Sequence, residues 1–254
     1  MLRVVKNVGL KRATNSEHGN VQTFLERLLV EVIAGNYRYF LHEHLMQSLT
    51  MDEVPEAYCW PPLLANERQV SGLFATALAS VCPVSRPEFA IRRSKASGRK
   101  DASRSGRVDF YATYGNRSIA LELKQKAIST KGEVSGKNGL AHQWSTVSAQ
   151  ATEALKHFRT DPKAYPHPIA IGLLVIRVSI KVTSAKTSEQ ARKVAGEKMP
   201  VLTEEVANGI KPDFLACYTP PTEMQTFLRG EQGREERVFP GLIFAAFIPS
   251  NLPS

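Results

Sequence analysis

Cysteine is scarce in this chain, with three among 254 residues. Cys59, Cys82 and Cys217 lack metal-ligand spacing, and an odd number of cysteines argues against a disulfide framework. The sequence also has no apolar run of membrane-spanning length and no secretory signal pattern. We therefore expect reduced cysteines, no membrane partner and a cytoplasmic protein.

Acidic residues are fewer than basic ones, 24 against 33, which gives a net charge of +9. The excess is concentrated in a Ser- and Gly-containing stretch where one acid, Asp101, stands among seven basic residues: Arg92, Arg93, Lys95, Arg99, Lys100, Arg104 and Arg107. Such a stretch suits contacts with phosphates and predicts a nucleic-acid partner. A basic loop that serves only solubility is the alternative interpretation.

The length and the 43% hydrophobic content suit one compact unit, in which a helical extension, residues 1–60, packs on a core, residues 61–254. In the extension, apolar spacing predicts a helix through Ile33, a break at Gly35 and Asn36, and a second helix to Leu49. In the core, a capping box at Asn66 and Gln69 and an apolar stripe from Val70 to Val81 predict a helix that Pro83 ends. Further helices are predicted at 140–158 and at 188–198, the latter ended by Pro200, and strands at 89–91, 169–176, 214–218 and 242–248.

Residues 106–126 predict a β-hairpin, because Gly115 and Asn116 form a two-residue turn of the Gly-X type between runs of β-formers. Antiparallel register then places Asp109 directly opposite Glu122, with Lys124 on the same face. The opposite face is apolar and fixes the register: Val108, Phe110, Ala112, Ile119, Leu121 and Leu123.

Two like charges directly opposed on neighbouring strands destabilise a sheet, so Asp109 and Glu122 need compensation. A shared proton, a nearby Lys or Arg, or a bound divalent cation would each supply it. An all-oxygen pair without His or Cys suits Mg²⁺ or Mn²⁺ rather than zinc. A solvated hairpin face, with Lys124 and Arg107 as counter-charges, is the alternative.

The pattern of Asp109 followed by Glu122-Leu123-Lys124 resembles the signature of the PD-(D/E)xK nuclease superfamily, to which many restriction enzymes belong. The resemblance implies that Asp109 and Glu122 bind the metal, that the Leu123 carbonyl joins them, and that Lys124 orients or activates the attacking water. Val108 stands where the superfamily has a nominal proline, a position that varies within it.

The resemblance also implies an α/β fold with a restriction-endonuclease-like core: helix, three antiparallel strands, helix, strand, in a mixed central sheet flanked by helices. Many members place another acid on the first helix, a position that Glu67 matches, although a helix-capping charge explains Glu67 equally well. Several branches carry a glutamine on the second helix, for which Gln143 and Gln150 are the candidates.

The function implied is Mg²⁺-dependent hydrolysis of phosphodiester bonds, in DNA by resemblance, in bacterial or phage restriction, antiviral defence or repair. Two alternatives stay open. One is a non-catalytic nucleic-acid-binding module with a nuclease fold, and the other is a subunit activated by a partner such as a helicase or ATPase. Homodimerisation is also left open by the sequence.

Overall fold

The computed structural model describes residues 2–6, 17–50, 62–64, 67–92, 105–129, 132–135, 139–182, 187–222, 225–228 and 237–249. The helices in these ranges are α1 (Glu17–Thr50), α2 (Glu67–Val81), α3 (Gly132–Ser135), α4 (Leu140–Arg159) and α5 (Ser188–Ile210). The strands are β1 (Leu2–Lys6), β2 (Val84–Arg92), β3 (Ser105–Tyr114), β4 (Arg117–Ile128), β5 (Ile169–Lys181), β6 (Phe214–Tyr218), β7 (Thr226–Leu228) and β8 (Arg237–Phe247). A short 3-10 turn, Pro62–Leu64, precedes α2.

One mixed sheet contains all eight of these strands, in the order β1-β6-β8-β5-β4-β3-β2, with β7 paired to β8. The β4–β5 pair is parallel, and the other pairs are antiparallel. The predicted α/β class and mixed sheet are therefore confirmed.

Helices cover both faces of this sheet. The first face packs against α1 and α2 in a cluster that includes Phe24, Phe74 and Leu121, and the second packs against α4 and α5 in clusters that include Val147 and Leu174. β5 is buried on both faces, as its nearly unbroken apolar run predicts. The sheet therefore provides a rigid support whose second face carries the residues discussed below.

The hairpin forms in the predicted register, with Tyr114 paired to Arg117, Thr113 to Ser118 and Tyr111 to Ala120. Gly115 has φ +59°, which suits the first central position of a type II′ turn. The helices at 67–81 and 140–158 and the strand at 214–218 also form close to their predicted bounds.

Two predicted helix ends are wrong. Gly35 and Asn36 lie inside the continuous helix α1, because the missing side chain of Gly35 admits Leu73 of α2 and the side chain of Asn36 accepts a hydrogen bond from the Leu63 N–H. Pro200 likewise lies inside α5. The helix continues beyond it because further residues of the same apolar stripe, such as Leu202 and Val206, are buried.

The sequence analysis did not identify β1, which lies in the predicted N-terminal extension and pairs with β6. β2, β5 and β8 are all longer than predicted. The extra residues lie at strand ends, where the apolar pattern used for the prediction is weaker.

Candidate active site

Strands β3 and β4 form a fork. Their ladder ends at the pair Phe110–Leu121, although β3 reaches back to Ser105 and β4 runs on to Ile128. Beyond this point β3 remains paired with β2, as far as the pair Arg92–Ser105, and β4 remains paired with β5, as far as Ile128–Val178. The two strands therefore separate while each keeps its other neighbour.

Asp109 and Glu122 occupy the first positions beyond the last pair of the ladder, at the base of this fork. The Oδ2 atom of Asp109 accepts a hydrogen bond from the Leu123 N–H at 2.7 Å. This contact holds the Asp109 carboxylate against the backbone that carries Glu122. The predicted direct pair of Asp109 with Glu122 is not part of the ladder, which ends one position earlier; Asp109 instead contacts the backbone of the residue after Glu122.

The backbone around Asp109 is irregular on its other side as well. Glu88 of β2, the residue that would face Asp109, has φ +49° and is missing from the β2–β3 ladder. Val108 packs with Ile91 and Ala120 and not with the cluster that contains Phe110, so its predicted place on the same apolar face as Phe110 is wrong. The break in the ladder at Asp109 explains this shift, because strict alternation holds only along an unbroken strand.

Glu122 is buried, with 1% of its surface exposed. It shares a face of β4 with Ala120, which packs against α4. Across the sheet, Glu122 lies beside Gly172 of β5, and Gly172 lies beside Phe247 of β8. This row of three residues sits under the middle of α4.

Lys124 is the next residue on the same face of β4, two positions beyond Glu122, and it is half-buried. Lys126, also half-buried, follows after another two positions, so the β4 arm of the fork carries a row of one acid and two amines. The sequence analysis did not select Lys126, although its spacing from Lys124 is the signal that identifies it.

The contacts of α4 show which of its flanks faces the fork. Val147 lies over Gly172, and Trp144 contacts the ring of Phe247 on β8, with centroids 6.1 Å apart. Gln143 and Gln150 lie on the opposite flank of the helix from Trp144, because each residue advances about 100° around the axis. That flank is directed toward β4, since β4 and β8 adjoin opposite sides of β5.

Gln143 and Gln150 are both half-buried. The side-chain oxygen of Gln150 is buried and accepts no hydrogen bond in the described part of the chain. A buried acceptor without a partner costs free energy, so its position suits a polar ligand or water. Gln150 is therefore the stronger of the two candidates.

Glu67 is the first residue of α2, which packs on the opposite face of the sheet from α4, and its side chain lies outside the described residues. Arg107 is exposed and forms an ion pair with Glu88. Arg92 ends β2, and its side chain is not among those described. The remaining predicted phosphate contacts lie wholly outside the described residues: Arg93, Lys95, Arg99, Lys100 and Arg104.

The donor set at the fork fits a hard divalent cation. Carboxylate oxygens of Asp109 and Glu122, with the Leu123 carbonyl, are the ligand types that Mg²⁺ and Mn²⁺ prefer. The burial of the Glu122 carboxylate supports this fit, since a cation offsets the cost of removing its charge from water. Within the described ranges, no three or more His, Cys, Asp or Glu side chains are grouped closely enough to hold a metal.

The chain is thus an α/β protein in which acidic and basic side chains lie together where two strands of the sheet part. Comparison of the chain with protein-family models, curated proteins and solved structures finds no match. In the described part of the chain, none of the helices combines the length and apolar character that a membrane span requires.

Proposed function

We propose that this protein is a metal-dependent nuclease that hydrolyses phosphodiester bonds, with its active site at the β3–β4 fork. The observation that carries the proposal is the placement of Asp109 and Glu122 at the base of the fork, with Lys124 next along the same face. The ladder between β3 and β4 ends at these groups, so they lie where the two strands part.

The order of elements supports assignment to the PD-(D/E)xK superfamily. Helix α2 is followed by the antiparallel strands β2, β3 and β4, then by α4 and by β5, which is parallel to β4. This is the order expected of a restriction-endonuclease-like core, with the short α3 inserted before α4.

Asp109 and Glu122 would hold Mg²⁺ or Mn²⁺, together with the Leu123 carbonyl. When bound, the metal polarises the scissile phosphate and lowers the pKa of a coordinated water. Oδ2 of Asp109 accepts a hydrogen bond from the Leu123 N–H, and this contact would hold the carboxylate in position for the metal.

The Lys124 ammonium donates hydrogen bonds to the attacking water or to the negative charge that develops on the phosphate. The unpartnered oxygen of Gln150 accepts a hydrogen bond from that water and helps to orient it. Each of these roles requires a group on the α4 side of β4, where Glu122 lies.

DNA is proposed as the substrate through the superfamily resemblance, and the basic 92–107 segment that joins β2 to β3 supports a polyanionic partner. Restriction, defence or repair is the proposed biological setting. The chain would act alone, as a monomer or homodimer, or only together with a helicase or ATPase. Cleavage by the purified chain distinguishes these cases.

The test is incubation of the purified chain with supercoiled plasmid, linear duplex and single strands, with Mg²⁺ and with a chelator. Cleavage that needs the metal is expected, and Lys124→Met is expected to reduce it at least 100-fold while leaving nucleic-acid affinity nearly unchanged. Lys181→Met, at an exposed lysine at the far end of β5, is the matched control.

Two results would redirect the proposal. Binding of nucleic acid without cleavage under any of these conditions would favour the non-catalytic module or the partner-activated subunit. Equal loss of cleavage and affinity in Lys124→Met would assign Lys124 to binding rather than to the chemical step.

A further inference from the structure

Four aromatic rings from different parts of the chain meet on the second face of the sheet, and we call this cluster the aromatic platform: Phe89, Tyr111, Phe158 and Tyr165. Phe158 and Tyr165 stack with centroids 4.4 Å apart and planes 7° from parallel. Phe89 and Tyr111 stack at 4.9 Å, and Phe89 meets Tyr165 edge-on at 6.2 Å. These contacts fix the rings relative to one another.

The platform has a buried base and an accessible rim. Phe158 is fully buried and anchors the end of α4, whereas Phe89, Tyr111 and Tyr165 each remain partly exposed. A tyrosine hydroxyl is neutral at physiological pH, and desolvation, with smaller contributions from Tyr111 and Asp161, raises the pKa of Tyr165 further above its ordinary value. The rim therefore presents aromatic surface to solvent beside the half-buried ring of His157, whose centroid lies 5.9 Å from that of Tyr165.

The platform adjoins the candidate active site. Tyr111 pairs with Ala120 across the hairpin, and Asp109 and Glu122 stand two residues further along their strands. Two residues along a strand span about 6.7 Å. A base that rests on the platform would thus belong to a nucleotide close to a phosphate at the fork.

The charge around the platform suits a polyanion. Arg86 pairs with Tyr111 in the β2–β3 ladder and is exposed. Arg159, the last residue of α4, and Lys163, in the loop that leads to Tyr165, are also exposed. Asp161 lies in the same loop, where its carboxylate accepts a hydrogen bond from the Ala164 N–H. Exposed cations therefore outnumber acids at this edge.

We propose that the aromatic platform binds single-stranded nucleic acid by stacking unpaired bases on its rim, so that the substrate at the fork is a single strand or an unpaired end. Aromatic rings with flanking cations are the usual means of holding single strands without sequence preference. Bases in an intact duplex are stacked on each other and cannot use these rings. The assignment to a substrate rests on the proposed nuclease function, whereas the binding itself does not.

The test compares Tyr165→Leu with Tyr165→Phe in the full chain. Binding is measured by fluorescence anisotropy in EDTA, which prevents metal-dependent cleavage, with a labelled oligothymidine, an abasic oligonucleotide of equal length and a duplex. Tyr165→Leu is expected to weaken binding of oligothymidine by about 5- to 150-fold, the contribution of one stacked base. Tyr165→Phe should bind like the native chain.

The abasic oligonucleotide separates stacking from charge, because it keeps the phosphates and lacks the bases. Tyr165→Leu should bind it as the native chain does. Tyr39→Leu, at an exposed tyrosine of α1, is the control for loss of a surface ring. Thermal unfolding checks that each variant is folded, and Phe89→Leu serves as the second variant if Tyr165→Leu is not.

The proposal is overturned if Tyr165→Leu and Phe89→Leu leave binding of oligothymidine unchanged, if abasic and thymidine oligonucleotides lose affinity equally, or if the native chain prefers the duplex. If the chain binds by stacking but does not cleave, the result supports the aromatic platform and contradicts the proposed nuclease activity. If the chain cleaves without any preference for unpaired bases, the result supports the nuclease activity and contradicts the role of the aromatic platform.

Discussion

Gly172 of β5 lies directly under Val147 of α4: a Cβ atom on the glycine would be 2.8 Å from the Val147 carbonyl oxygen. Gly172 is also the neighbour of Glu122 in the sheet. The absence of a side chain therefore lets α4 approach the sheet closely beside the candidate active site, which sets the height of the helix above Glu122.

Gly172→Ala should destabilise the protein by about 1–3 kcal/mol, because the backbone of α4 cannot move away without disturbing its packing. Displacement of α4 should also lower cleavage activity more than the loss of stability explains. Urea unfolding and initial cleavage rates measure the two effects. Gly72→Ala is the matched control in α2, where an added Cβ meets no atom within 4 Å, and it should stabilise the helix by up to about 1 kcal/mol.

Asp109→Ala should cost about 1.5–3 kcal/mol of stability without metal, since it removes the charged acceptor of the Leu123 N–H. Asp109→Asn keeps an oxygen at this position and should cost less. Both variants should lose uptake of Mg²⁺ and Mn²⁺. Urea unfolding in chelator and calorimetric metal titration with a phosphorothioate oligonucleotide measure these effects, and metal uptake retained by Asp109→Ala would exclude a ligand role.

Asn36→Ala should cost about 1–3 kcal/mol, because it leaves the buried Leu63 N–H without its acceptor at 3.0 Å. The Leu63 carbonyl of the same turn accepts a hydrogen bond from the side-chain amide of Gln125, and the two contacts tie α1, the turn and β4 together. Gln22→Ala, which removes a part-buried contact with Glu26 within α1, should cost less than 1 kcal/mol. If both variants lose the same free energy of unfolding in chemical denaturation, the contact of Asn36 with Leu63 stabilises the protein no more than an ordinary surface contact.

Cys82 should resist alkylation in the folded protein, because burial raises the pKa of its thiol from 9.0 to about 11. Above pH 9 the unfolded chain releases this proton while the folded chain retains it, so stability should fall as the pH rises from about 9 to about 11. Cys82→Ala should lose less stability over this range. Iodoacetamide kinetics in a variant with Cys59 and Cys217 replaced by Ser measure the reactivity, and rapid native labelling at pH 8 would contradict the expectation.

The local pattern was sufficient for elements whose signals are short-range. The Gly115-Asn116 turn and the alternation on either side of it determine the hairpin register, and the apolar stripe of α4 determines its bounds. These features depend on neighbours within a few residues. They can therefore be predicted from one sequence without knowledge of the rest of the fold.

Helix ends were harder to predict from the sequence, because tertiary packing outweighs the helix propensity of single residues. Gly35 and Pro200 are residues that usually end helices, yet packing against Leu73 and continued burial beyond Pro200 keep both helices intact. Strand β1 was missed for a related reason, since five residues at the sheet edge gain most of their stability from pairing with β6.

The sequence by itself determined the chemical groups available at the candidate site: two carboxylates, an amine two residues beyond the second, and a basic segment before them. Only the tertiary structure decided that the ladder ends beside Asp109, that α4 covers Glu122, and that four distant aromatic rings meet one step away. Side-chain alternation is a local property of a strand, whereas the separation of β3 from β4 depends on which neighbour each strand retains.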